Sequence, residues 1–157
     1  MRRLSSRKID YSALADFRYE IRRYLNFGYQ AARRKGVEPQ QYQALLAIKG
    51  LRPELPPTVG LLAEEMQIEH HTAVELSGRL ERNGWISRMR SARDRRVVLL
   101  QLTRRGERLL ESLSILHRRE LQLVGPRLVE ALRLAISHGR RARKARTSVP
   151  RASANPS

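Results

Sequence analysis

Apolar residues recur at three- and four-residue steps between Asp10 and Arg34, at Leu14, Phe17, Ile21, Tyr24, Leu25 and Gly28. Arg18, Glu20, Arg22 and Arg23 lie mostly off that stripe. This period predicts one long amphipathic helix. Asp10 is placed to cap its start, and Gly36 with Pro39 marks its stop. A helix of that length draws its stability from a partner, either a neighbouring helix or a second subunit. A second helix is expected over Gln40–Gly50, offering Tyr42, Leu45, Leu46 and Ile48 for burial. The run Arg52-Pro53-Glu54-Leu55-Pro56-Pro57 then breaks the period, because prolines cannot donate and restrict the residue before them. Thr58 suits the N-cap of a short helix, Val59–Met66, with Leu61, Leu62 and Met66 inward. After the turn Gln67-Ile68-Glu69 another helix is expected from His70 to Asn83, ended by Gly84.

The pattern changes at Trp85. Two short apolar runs, Trp85–Arg90 and Val97–Leu102, flank the charged stretch Ser91-Ala92-Arg93-Asp94-Arg95-Arg96, as in a β-hairpin. Thr103 caps a further helix to about Val124, with Leu109, Leu110, Leu113, Leu116 and Leu121 on its apolar side. Gly125-Pro126 is expected to break that helix, leaving a last one over Arg127–His138 with Leu128, Leu132, Ala135 and Ile136. From Gly139 onward the chain loses periodicity and is expected to be a disordered basic tail.

Two short helices across a tight turn, followed by a charged hairpin, form the pattern of a winged helix-turn-helix. Leu62, Ala63, Met66 and Ile68 would pack the first helix against Ala73, Leu76 and Leu80 of the second. His70, His71, Thr72, Val74, Glu75 and Gly78, with Arg79 and Arg82 further along, are left on the outer side. A helix fits the major groove of B-DNA with its N-terminal residues nearest the base edges. The hairpin arginines Arg90, Arg93, Arg95 and Arg96 would follow the backbone or enter the minor groove. Charge supports a polyanion as partner: 32 Lys+Arg against 15 Asp+Glu give a formal +17 over 157 residues. Apart from Lys8, Lys35, Lys49 and Lys144, every basic residue is arginine, whose planar fork matches phosphate oxygens and guanine edges.

At this point the sequence resembles a known family. Asp94-Arg95-Arg96-Val97-Val98-Leu99-Leu100-Gln101-Leu102-Thr103 is similar to the D-x-R-x-x-x-L-x-L-T wing signature of the MarR family. Arg79-Leu80-Glu81-Arg82-Asn83-Gly84-Trp85-Ile86 resembles that family's recognition-helix end. The likeness covers roughly residues 10–138 in element order. It implies a homodimer on pseudo-palindromic double-stranded DNA that regulates transcription, usually by repression, with N- and C-terminal helices forming the interface. Carried over, Asp94 would orient a wing arginine and Arg96 would enter the minor groove. Two departures bear on base preference. Glu69 stands where a serine usually precedes the recognition helix, and Gly78 replaces an acid. Glu69 is expected to cap well while repelling phosphate. Relatives often bind phenolic or other lipophilic effectors, for which Tyr24, Phe27, Tyr42 and His117 are the candidates, although helical aromatics are more often core.

The expected fold is therefore mainly α with a small antiparallel β-hairpin wing, a winged helix-turn-helix lobe with a helical dimerisation domain. Its expected parts are an N-terminal dimerisation helix (1–36), the DNA-binding lobe (37–103), C-terminal dimerisation helices (104–138) and the tail (139–157). Two rivals remain: a non-specific architectural DNA binder, and a winged-helix module for protein or RNA. With no cysteine, thiol chemistry is excluded. No P-loop, G-x-S-x-G or H-E-x-x-H is present, so no catalytic residue and no enzyme activity are expected. Adjacent His70 and His71 point about 100° apart on a helix and make a poor chelate, so no metal or other cofactor is expected. Trp85 is expected to pack and pin the wing. The basic start, Met1–Lys8, is followed by no apolar segment, and no stretch approaches the roughly 18–20 apolar residues of a membrane span. A cytoplasmic protein without a membrane partner is the expectation.

Overall fold

The computed structural model describes residues 9–137. The proposed tail, 139–157, and His138 lie outside the described residues. Along the chain run α1 (Tyr11–Arg34), α2 (Pro39–Gly50), α3 (Val59–Met66), α4 (His70–Arg82), β1 (Ile86–Arg90), β2 (Val98–Leu102) and α5 (Arg104–Ile136). Five helices and a two-stranded antiparallel sheet make the fold mainly α, as the hydrophobic period implies.

The helix starts follow local side-chain chemistry. The Asp10 carboxylate accepts the Ala13 N–H at 3.1 Å, Thr58 Oγ1 accepts Leu61 N–H at 3.1 Å, and Thr103 Oγ1 accepts Gly106 N–H at 3.1 Å. Each satisfies a first-turn donor that has no partner inside the helix. Pro39 opens α2 as well as closing the loop after α1, since a first-turn position needs no N–H. Gln41 reaches back to accept the Glu38 N–H at 3.1 Å. Glu69 differs from expectation: it occupies the N-cap of α4 but its side chain makes no capping hydrogen bond. Its longer side chain is not among those that favour this position.

The expected break at Gly125-Pro126 is overturned. α5 is a single helix of 33 residues with Pro126 inside it. Gly125 has no Cβ to meet the proline ring, which removes part of the usual penalty on the preceding residue. The carbonyl four residues back belongs to Gln122, an exposed position where solvent replaces the lost donor. Buried or half-buried Leu113, Leu116, Val124, Leu128, Ala131 and Ala135 hold their helical spacing straight through the proline.

The chain divides into two compact units, residues 25–121 and, within the described range, 9–24 with 122–137. The larger has a core of Val37, Tyr42, Ala44, Leu45, Ile48, Val59, Leu62, Ala73, Leu76, Leu80, Trp85, Ile86, Leu100, Leu110 and Leu113. Leu45, Leu76 and Leu80 are fully buried, each contributing about 1.5–3 kcal/mol by leaving water. In the smaller unit Ala13, Val124 and Ala131 are buried, while Ile9, Tyr11, Tyr19, Leu123, Val129 and Ile136 are more than half exposed. Among the described residues no helix is long and apolar enough to cross a membrane.

Candidate nucleic-acid interface

The site lies in the unit 25–121 and is built from α3, α4 and the β1–β2 hairpin. The turn between the two helices is made by Gln67, held in the left-handed region at φ 53°. It lets Ile68 N–H reach the Ala63 carbonyl at 3.0 Å and close α3. Ala73, Leu76, Ser77 and Leu80 form the buried face of α4, and Ser77 Oγ donates to the Val74 carbonyl at 2.8 Å. At 100° per residue the opposite line of the helix carries His71, Glu75, Gly78 and Arg82. Thr72 and Arg79 flank this line on one side, His70 and Val74 on the other. All except half-buried Thr72 and Gly78 are exposed. All six residues chosen on this helix, His70, His71, Thr72, Val74, Glu75 and Arg79, thus lie on or beside its outer surface.

The hairpin pairs Ile86 with Leu102 through to Arg90 with Val98. Leu100 N–H donates to the Pro57 carbonyl at 2.7 Å, fastening β2 to the segment that leads into α3. At the hairpin tip Asp94 accepts the Arg96 backbone N–H at 3.0 Å and its Nε at 3.3 Å, with Nη2 at 3.4 Å. These contacts, the backbone one foremost, hold the Asp94 carboxyl below its ordinary range. The Arg96 side chain is 92% exposed, so Asp94 orients it without covering it. Arg90 donates to the Arg95 carbonyl at 3.2 Å, and Arg93 and Arg95 stand exposed beside it. The structure therefore brings all five wing residues together at one tip.

Two contributors were not singled out from sequence. Glu81 on α4 accepts the Arg88 backbone N–H at 3.3 Å, and its carboxylate lies 3.9 Å from the Arg88 guanidinium. This couples the wing to α4. Arg88 sits on the strand face shared with buried Ile86, and a charged residue at such an inward position was the available signal. Together with Thr58, His70, Val74 and Arg96 it lines an open cleft of about 280 Å³ between helix and wing. Trp85 is buried as expected, and its backbone carbonyl is crossed so closely by α5 that a Cβ at Gly106 would overlap the oxygen. Thr103 adds a hydrogen bond from Oγ1 to the Gly84 carbonyl at 2.7 Å.

Three of the four effector candidates also meet. Tyr42 Oη and His117 Nδ1 share a hydrogen bond of 2.6 Å, their rings edge to face at 4.5 Å. Phe27 stands 6.2 Å from the same imidazole. Burial pushes the His117 imidazole down from its ordinary value, opposed in part by the Gly28 backbone. A neutral ring that accepts at Nδ1 carries its proton on Nε2, which faces Gly28 without a well-formed hydrogen bond. Tyr24, half-buried, falls in the other unit. No group of three potential metal ligands occurs among the described residues.

Residues 35–97 match the MarR family. A mutant MepR from Staphylococcus aureus, bound to an oligodeoxyribonucleotide, is 26% identical with a TM-score of 0.59, over 75% of this chain and 84% of that one. A MarR family protein from Bacillus stearothermophilus is 25% identical with a TM-score of 0.62, covering 79% and 95%. YusO from Bacillus subtilis shares the fold at 22% identity and a TM-score of 0.57, covering 83% and 99%. A search of curated proteins found no match. Wing motif, architecture and family match agree: the winged helix-turn-helix over residues 35–97 is similar to that of the MarR family.

Proposed function

We propose that the chain is a homodimeric regulator that binds double-stranded DNA at specific sequences. The observation that carries this reading is the Asp94–Arg96 clamp, which presents a nearly fully exposed guanidinium beside an outward-facing recognition helix. MepR, of similar fold, holds an oligodeoxyribonucleotide. Bases are read by exposed side chains of α4 in the major groove, while wing arginines engage phosphates and the narrower groove. Dimerisation is supported by the large apolar side chains left uncovered on residues 9–24 and 122–137, a feature that marks interaction surfaces when the exposed residues are contiguous. Two recognition helices then address major grooves one turn apart, about 34–36 Å.

Repression in the cytoplasm is the mode of control proposed, by a dimer that would exclude the polymerase from a promoter it covers. A small lipophilic or phenolic effector that entered near Phe27, Tyr42 and His117 would have to displace the Tyr42–His117 hydrogen bond, and release from DNA would follow from that rearrangement. The test is sedimentation of the free protein combined with selection of bound duplexes from a random library. A dimer that enriches a two-fold symmetric sequence and prefers it to random competitor supports the reading. A monomer, or uniform binding without enrichment, refutes it in favour of an architectural binder.

A further inference from the structure

Glu75 is an acid on the outer line of a helix whose proposed partner is a polyanion. On that line it is flanked by His71 and, one turn on, by Gly78, with Arg82 beyond. No ion pair or side-chain hydrogen bond among the described residues engages it, although Arg79 lies at the i,i+4 position where a glutamate and an arginine readily pair. It neither caps α4 nor braces the wing; those places belong to Glu69 and Glu81. Gly78 contributes no side chain to shield the carboxylate from the face of the groove. The Arg82 guanidinium folds back instead to within 3.4 Å of where a Cβ at 78 would lie. An unpaired anion there weakens contact with every phosphate-bearing surface unless the cognate site supplies a donor to it.

We propose, building on the reading above, that Glu75 determines specificity by accepting a hydrogen bond from the exocyclic amino group of a cytosine in the major groove. The edge chemistry singles out that base. Guanine presents two acceptors, thymine an acceptor and a methyl group, and adenine an acceptor beside its amino group, so each sets at least one acceptor against a carboxylate. Cytosine presents only the N4 amino donor. At any other base Glu75 keeps its charge uncompensated, so rejection of wrong sites and recognition of the right one arise from the same atoms.

The experiment takes the duplex selected by the wild-type protein and replaces each base pair in turn, measuring binding by wild type, Glu75→Gln and Glu75→Ala. One symmetry-related pair of cytosines is expected at which replacement weakens the wild type roughly 5- to 150-fold. At those positions Glu75→Ala should be indifferent. Glu75→Gln should shift its preference to adenine, whose N6 and N7 a glutamine amide matches. Equal gains in affinity for all sequences by both variants, with no change in preference at any position, would make Glu75 a repelling charge alone and overturn the assignment. Failure of the wild type to enrich any sequence overturns the DNA-reading function itself, and this assignment with it. Glu75 is exposed, so melting curves of the variants are expected to overlay that of the wild type.

Discussion

Replacing Arg96 with alanine separates binding from folding. Its side chain is 92% exposed and its partner is the neighbouring Asp94 carboxylate, so nothing in the core loses a contact. Stability should stay within about 0.5 kcal/mol of the wild type, the usual range for surface positions. The proposed dimer would lose two guanidinium forks. At about 1–3 kcal/mol for each lost groove contact, operator affinity should fall by roughly 2–6 kcal/mol. If the forks contact phosphates, the slope of log K against log salt should also shrink by about 0.9 per contact, hence about 1.8 per dimer. Fluorescence anisotropy on the selected duplex over a salt series reads both quantities, and urea unfolding reads stability. Asp94→Ala should lower affinity less than Arg96→Ala, because it frees the arginine without removing it, and should have no further effect once Arg96 is gone. Unchanged binding by Arg96→Ala, or a loss accompanied by unfolding, would refute the role assigned to the wing.

Gln67→Gly should raise stability by about 1 kcal/mol in urea denaturation, since a non-glycine residue at φ 53° carries a cost of about 1–2 kcal/mol, offset partly by the freer unfolded chain. No gain would show that the turn is unstrained. Gly106→Ala should lose about 1–3 kcal/mol or more by forcing α5 away from the Trp85 carbonyl, with a lower melting temperature as readout. An unaffected melting temperature would contradict that close packing. His117 is held below its ordinary imidazole value by burial, so on acidification the unfolded chain takes up this proton first. Its contribution is present above about pH 6.5 and is lost as pH falls through the lower native value. His117→Gln should therefore flatten stability against pH below about 6.5; an unaltered profile would assign that acid sensitivity elsewhere.

Much of the fold was legible because it rests on local chemistry. Asp10, Thr58 and Thr103 cap through their own side chains, and the hairpin follows from two apolar runs around a charged tip. The proline in α5 misled because its penalty is local whereas the apolar spacing that opposes it runs along the helix on both sides of it. Leu113, Val124 and Ala131 keep that spacing, and Gly125 softens the clash. Glu69 shows the limit of reading a residue type without its reach: an acid at an N-cap position does not ensure a cap. The exposed faces of α4 and the wing were readable from period and charge. The Glu81–Arg88 coupling was not, because it joins residues seven apart across a turn whose geometry only the folded chain defines. The Tyr42–His117 bond, across 75 residues, was equally beyond any local pattern.

Hydroxyl-radical footprinting of the selected duplex tests the central claim most directly. Two recognition helices and two wings predict protection that is two-fold symmetric, with protected backbone segments repeating about one helical turn apart, and stronger protection of the flanking minor groove in wild type than in Arg96→Ala. A single protected patch, or even protection spreading along the duplex as concentration rises, would contradict the account.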